Sequence, residues 1–66
     1  MAVAKVLEII CEGKSIEDAL ESGVQEVSKT VREVKQINVD HVEAKVKGGK
    51  IVLYRVIARV TFVVET

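Results

Sequence analysis

The sequence predicts an α+β fold with element order β-α-β-β, a three-stranded sheet in strand order 1-3-2 carrying one amphipathic helix. Three observations predict it. A short apolar run, Val3 to Ile10, opens the chain, and a stretch whose apolar residues recur every three or four positions follows. Two long alternating runs then flank Gly48-Gly49. A period of two marks strands and a period near 3.6 marks a helix.

Val3 to Ile10 is too short for a typical helix and is rich in strand-favouring residues, with Val3, Val6, Leu7, Ile9 and Ile10 spread over both faces. Glu12-Gly13-Lys14-Ser15 is the first turn. Ser15 is placed to cap a helix, because its hydroxyl accepts from a first-turn amide. Asp18 makes a weaker variant of the capping box, and Glu17 and Asp18 both lie where the helix dipole favours negative charge. Ile16, Leu20, Val24, Val27 and Val31 form the apolar stripe, with Ala19 and Gly23 beside it. A helical glycine costs roughly 1 kcal/mol against alanine, so Gly23 is expected where the helix approaches the sheet closely.

Beyond Val34 the period becomes two. Ile37 and Val39 share one parity while Val42, Ala44 and Val46 share the other, so a bulge or bend is expected near Asp40-His41. Lys47-Gly48-Gly49-Lys50 is a hairpin turn. The last strand then alternates from Val52 to Val64, with Leu53, Arg55, Ile57, Arg59, Thr61 and Val63 on its second face. A helical crossover makes strands 1 and 2 parallel, and the hairpin puts strand 3 between them. One helix covers one side, so Leu53, Ile57 and Val63 are expected to meet a second subunit.

Sixty-six residues make one domain, 1–66, that is marginal as a monomer. The single cysteine, Cys11, excludes an internal disulfide, and no cysteine-histidine cluster could hold zinc, which leaves self-association as the expected source of stability. Ten basic residues balance ten acidic ones, with one tyrosine and one phenylalanine, a poor composition for binding nucleic acid. No apolar run is long enough for a membrane span and the start of the chain lacks signal-peptide features, so the expected location is cytoplasmic. Cys11 reads as a buried structural thiol and His41 as a surface or interface residue. Glu12-Gly13-Lys14-Ser15 lacks the first glycine of a phosphate loop. No nucleophile-base or paired-carboxylate arrangement stands out, and the expectation is that the protein is not an enzyme.

Over nearly its full length the chain resembles the dodecin family. The residues that carry the resemblance are Val6-Leu7-Glu8-Ile9-Ile10, Ser15-Ile16-Glu17-Asp18-Ala19 and Ser28-Lys29-Thr30-Val31-Arg32. Gly49 to Val56 and Val60-Thr61-Phe62-Val63-Val64-Glu65 complete the set. The resemblance implies a sheet wrapped around the helix and a hollow homododecamer that stores or sequesters a small ligand between subunits, FMN or riboflavin in flavin-binding members. It places the family's flavin-stacking tryptophan at Gln36 and its ring-binding glutamine at Arg55. This chain contains no tryptophan. In that respect it is similar to the tryptophan-lacking branch associated with calcium, and the alternative implied is an assembly without flavin, stabilised by calcium or another ion.

Overall fold

The computed structural model describes residues 2–65. Strand β1 spans Ala2–Gly13, helix α1 Ile16–Ser28, strand β2 Glu33–Lys47 and strand β3 Lys50–Glu65. The sheet has order β1-β3-β2, with both outer strands antiparallel to β3. Strands β1 and β2 therefore run parallel to one another without pairing, as the crossover argument requires.

Strand β1 is longer than the expected Val3–Ile10. Pairing with β3 continues through Cys11↔Val56 and Glu12↔Arg55 to Gly13↔Tyr54, so Glu12 and Gly13 are strand and not turn. Only Lys14 and Ser15 link β1 to α1. Ser15 caps the helix as expected: its backbone is extended and its Oγ accepts from the Asp18 amide at 3.0 Å. The helix ends at Ser28, so Val31 lies beyond it. There the amides of Lys29 and Thr30 reach back only three residues, to Glu26 and Val27. The Val27 carbonyl gathers the amides of Thr30 and Val31 at 3.0 and 3.1 Å and the Thr30 hydroxyl at 3.2 Å, closing the last turn.

The helix meets the sheet along Ala19, Gly23 and Val27, its buried residues, while Leu20 and Val24 are only half-buried and Ile16 is exposed. The line of closest approach is thus displaced to one side of the large apolar stripe. Gly23 is its centre. A Cβ there would lie 2.9 Å from Ile9 Cδ1 and 3.1 Å from Cys11 Sγ, which accounts for a glycine inside a helix. Val56, Ala58 and Val60 of the central strand are fully buried beneath, with Cys11 beside them donating from Sγ to the Val56 carbonyl at 3.6 Å.

The parity slip in β2 is real and is one of two. Register shifts fall between Val34 and Gln36 and between Val39 and His41, leaving Lys35 and Asp40 as extra residues. Each restores an apolar residue to the helix side, so Val34, Ile37, Val39, Val42 and Ala44 all oppose even-numbered residues of β3. A third shift leaves Val52 extra on β3 near the hairpin. The turn itself has Gly48 at φ 60° and Gly49 at φ 75°, the doubly positive pair of a type I′ hairpin.

Length decides what remains uncovered. The 13-residue helix is about 20 Å long, whereas a strand of 16 residues approaches 50 Å. On the helix side, large apolar residues outside the helix footprint stay exposed, among them Val3, Val42, Val46 and Ile51, while Val6 and Ile10 are exposed on the opposite face.

Candidate ligand face

The face of the sheet turned away from α1 carries both residues singled out from the sequence. The register arranges this outer face in cross-strand rows. Val6, Thr61 and Gln36 form one row; Glu8, Arg59 and Asn38 the next; then Ile10, Ile57 and His41; then Glu12, Arg55 and Glu43. Charged rows thus alternate with less polar ones along β3, which is the mixed second face visible in the sequence.

Arg55 is held by Glu12. Its Nε donates to Glu12 Oε2 at 2.8 Å and its Nη2 lies 2.7 Å from the same oxygen. Arg59 is held in the same way by the bulge residue Asp40, with Nε 3.1 Å from both carboxylate oxygens. Gln36 is exposed and donates from Nε2 to Asn38 Oδ1 at 2.6 Å. Gln36 and Arg55 share the face but are not brought together. Gln36 pairs with Thr61, six residues along β3 from Arg55, a separation of about 20 Å at the rise of a strand. Within one chain they cannot contact one small molecule from both sides. A shared seat needs a second subunit.

A flavin ring tests this face directly, since it needs a flat apolar platform and both donors and acceptors at its edge. Among the described residues the two benzenoid side chains, Tyr54 and Phe62, are even-numbered positions of β3 and lie on the helix side. The outer face therefore has no phenyl, phenol or indole ring to stack on. Arg55 offers only donors, and two of them are already directed at Glu12. The residues present do not fit a stacked isoalloxazine. A calcium ion fares no better on one chain: among the described residues no group of three or more histidine, cysteine, aspartate or glutamate side chains could hold a metal.

The clefts of the chain lie elsewhere. A groove of roughly 470 Å³ wraps the β1 edge between Cys11, Gly23 and Arg55, and Arg55 is the one predicted residue that lines it. Another cleft, roughly 540 Å³, lies between the Thr30–Glu33 loop and Phe62–Val64, away from both Gln36 and Arg55. Burial raises the Cys11 thiol above its ordinary pKa, the reverse of what a nucleophilic cysteine requires. His41 sits between Asn38 and Glu43 on the outer face, exposed and opposite Ile57. Glu12 and Asp40, the partners of the two arginines, were not legible as such. Glu12 reads as a turn residue until β1 is extended to Gly13, and Asp40 reads only as the site of the slip.

The described residues include no helix long and apolar enough to cross a membrane. Among solved structures the chain is similar to dodecin from Streptomyces davaonensis (TM-score 0.90, 20% identity, 98% of this chain and 97% of that one). It is also similar to dodecin from Streptomyces coelicolor (0.91, 20%, 98% and 94%) and to an arginine-to-alanine variant of T. thermophilus dodecin (0.92, 21%, 100% and 98%). At such identity the likeness is one of fold. No curated protein matches significantly. The family profile described as Dodecin matches residues 3–65, all but the ends of the chain. With the β-α-β-β order, the 1-3-2 sheet and the single crossing helix, that match makes the chain a member of the dodecin family.

Proposed function

We propose that the protein is a non-catalytic, homo-oligomeric shell, a dodecamer of single 1–66 domains, that sequesters a small ligand between subunits. One observation carries the reading. Among the described residues the largest fully buried side chains are only Val56 and Val60, whereas Val6, Ile10, Val46, Ile51 and Val52 each remain more than half exposed. A core that small leaves a monomer marginal, and each such residue contributes about 1.5–3 kcal/mol if a neighbouring subunit buries it. Family membership supplies the number twelve.

The ligand seat in this reading is the outer face around Gln36 and Arg55, completed by the same face of another subunit. Lacking an aromatic platform, it holds its ligand through hydrogen bonds and charge, and FMN or riboflavin binds weakly if at all. The calcium alternative has no three-ligand cluster on one chain to support it and enters as a control.

Native mass spectrometry of gently purified protein, before and after excess FMN and with or without calcium, tests this. A species of twelve 7.3 kDa subunits that ignores FMN is the expected result. Whole-FMN shifts would restore flavin as the ligand, an assembly that needs calcium would favour the ion-stabilised alternative, and a monomer would overturn the proposal.

A further inference from the structure

Phe62, one of the two benzenoid side chains, lies on the face of the sheet opposite Gln36 and Arg55. Helix α1 ends at Ser28, and the Thr30–Glu33 loop then comes down to the sheet, leaving the cleft of roughly 540 Å³ against Phe62 and Val64. Small-molecule sites measure about 300–1,000 Å³, so the space suits a compact ligand. The last pair between β2 and β3 is Glu33↔Val63, and Val64 therefore has no β2 residue beside it.

The lining combines an apolar floor with free positive charge. Val31, Phe62 and Val64 are half-buried, and exposed Arg32 lines the cleft with them. Among the described residues Arg32 takes part in no ion pair, whereas Glu33, the acid of the lining, has Lys35 at 3.6 Å. A second cation stands across the ring. Lys5 of β1 pairs with Phe62 in the register, on the same side of the sheet, exposed and likewise outside the ion pairs. Strands β1 and β2 are two strand spacings apart, about 10 Å, so an anion above Phe62 lies between the two cations. The end of α1 returns about half a negative charge, which leaves the field positive.

We propose that this cleft binds a small aromatic carboxylate, its ring against Phe62 and its carboxylate on the Arg32 guanidinium, with Lys5 adding charge from the far side. The guanidinium presents parallel N–H donors that match the two oxygens of a carboxylate. A ring on Phe62, walled by Val31 and Val64, gains offset or edge contact with the phenyl group besides its burial. The site differs from the seat around Gln36 and Arg55 in face and in ligand. It is built within one chain, so it does not rest on the reading of the protein as a shell.

Isothermal titration calorimetry of the whole protein with 2-naphthoate tests this, beside 2-naphthalenemethanol, which has the ring without the charge, and inorganic phosphate, which has the charge without the ring. Native mass spectrometry records the assembly state of each sample, and circular dichroism confirms that each variant keeps its fold. The parent is expected to bind 2-naphthoate at least ~10-fold more tightly than either comparison compound. R32Q is expected to weaken 2-naphthoate binding roughly 10- to 100-fold and K5Q roughly 2- to 5-fold. R32K, which keeps the charge and loses the fork, is expected to fall between the parent and R32Q. A parent that does not bind 2-naphthoate overturns the proposal, whatever its assembly state. Equal binding of the alcohol or of phosphate overturns it too, since charge or ring would then play no part. An R32Q protein that binds as the parent does would place the ligand elsewhere.

Discussion

Gly13 and Gly23 both lie where α1 meets β1, yet an added methyl group meets different things at each. At Gly13 an ideal Cβ falls 2.6 Å from the Ala19 amide nitrogen and 3.0 Å from Ala19 Cα and the Asp18 carbonyl carbon. These are backbone atoms of the capped first turn, tied to Ser15 through the Asp18 amide, with no free end to swing aside. At Gly23 the nearest atom, 2.9 Å away, is the flexible tip of Ile9. Overpacking costs about 1–3 kcal/mol, and replacing glycine by alanine returns roughly 0.4–1 kcal/mol by restricting the unfolded chain. For G13A the clash dominates and the net loss is about 1–2 kcal/mol, a fall in Tm of roughly 4–16 °C for a domain of this size. For G23A the gain in helix propensity, up to about 1 kcal/mol, is set against a clash that Ile9 can relieve, and the two cancel to within ~1 kcal/mol. Thermal unfolding followed by circular dichroism at one fixed protein concentration gives the comparison, since the melting of an oligomer depends on concentration. Native mass spectra would verify that the variants share one assembly. A G13A protein melting within about 2 °C of the parent, or melting above G23A, would refute the claim that contact with helix backbone governs this junction.

Other outcomes follow from single contacts. S15A leaves the Asp18 amide without its 3.0 Å acceptor and is expected to cost about 1 kcal/mol, or roughly 4–8 °C in Tm; an unchanged melting curve would show that water replaces the cap. The Cys11 thiol has its pKa raised by burial, so its contribution to stability is intact below the ordinary thiol value of about 8.5 and is lost as pH rises through the folded value. The parent should therefore lose more Tm than C11A between neutral and alkaline pH, and parallel curves would rule the effect out. Q36W supplies a stacking surface and is expected to strengthen FMN binding roughly 2- to 10-fold, measured by quenching of flavin fluorescence; no gain would remove Gln36 from the ligand face.

The long elements and their order were legible because each is written in a local period, and the Ser15 cap and the Gly23 approach because one residue type announces each. The slip at Asp40 could be seen as two parities either side of it. Its counterpart at Lys35 was less visible, since only Val34 precedes it to set a phase. What local pattern could not convey was pairing across strands. Glu12 and Arg55 stand 43 positions apart, and their contact exists only in the register that carries β1 on to Gly13↔Tyr54. The helix face was misjudged for a related reason. Volume in the sequence points to Leu20 and Val24, but closeness of approach is decided by the smallest residues, Ala19 and Gly23.

That register also couples the two departures from a flavin seat. Arg55 stands between Glu12 on β1 and Glu43 on β2, so returning it to a neutral glutamine would leave two carboxylates flanking an uncharged residue. Like charges facing one another across strands are destabilising, and the Arg55–Glu12 pair, with its arginine side chain 35% exposed, contributes no more than about 1 kcal/mol of its own. Its importance lies more in what it neutralises than in what it stabilises. A change at Gln36, on a row about 20 Å away, disturbs none of this. The stacking platform can therefore be rebuilt by one substitution, while the hydrogen-bonding edge needs Arg55 and at least one of its flanking acids to change together. The ion-paired rows of the outer face are thus a self-consistent alternative to a ligand edge, held by Glu12 and Asp40 as much as by the arginines themselves.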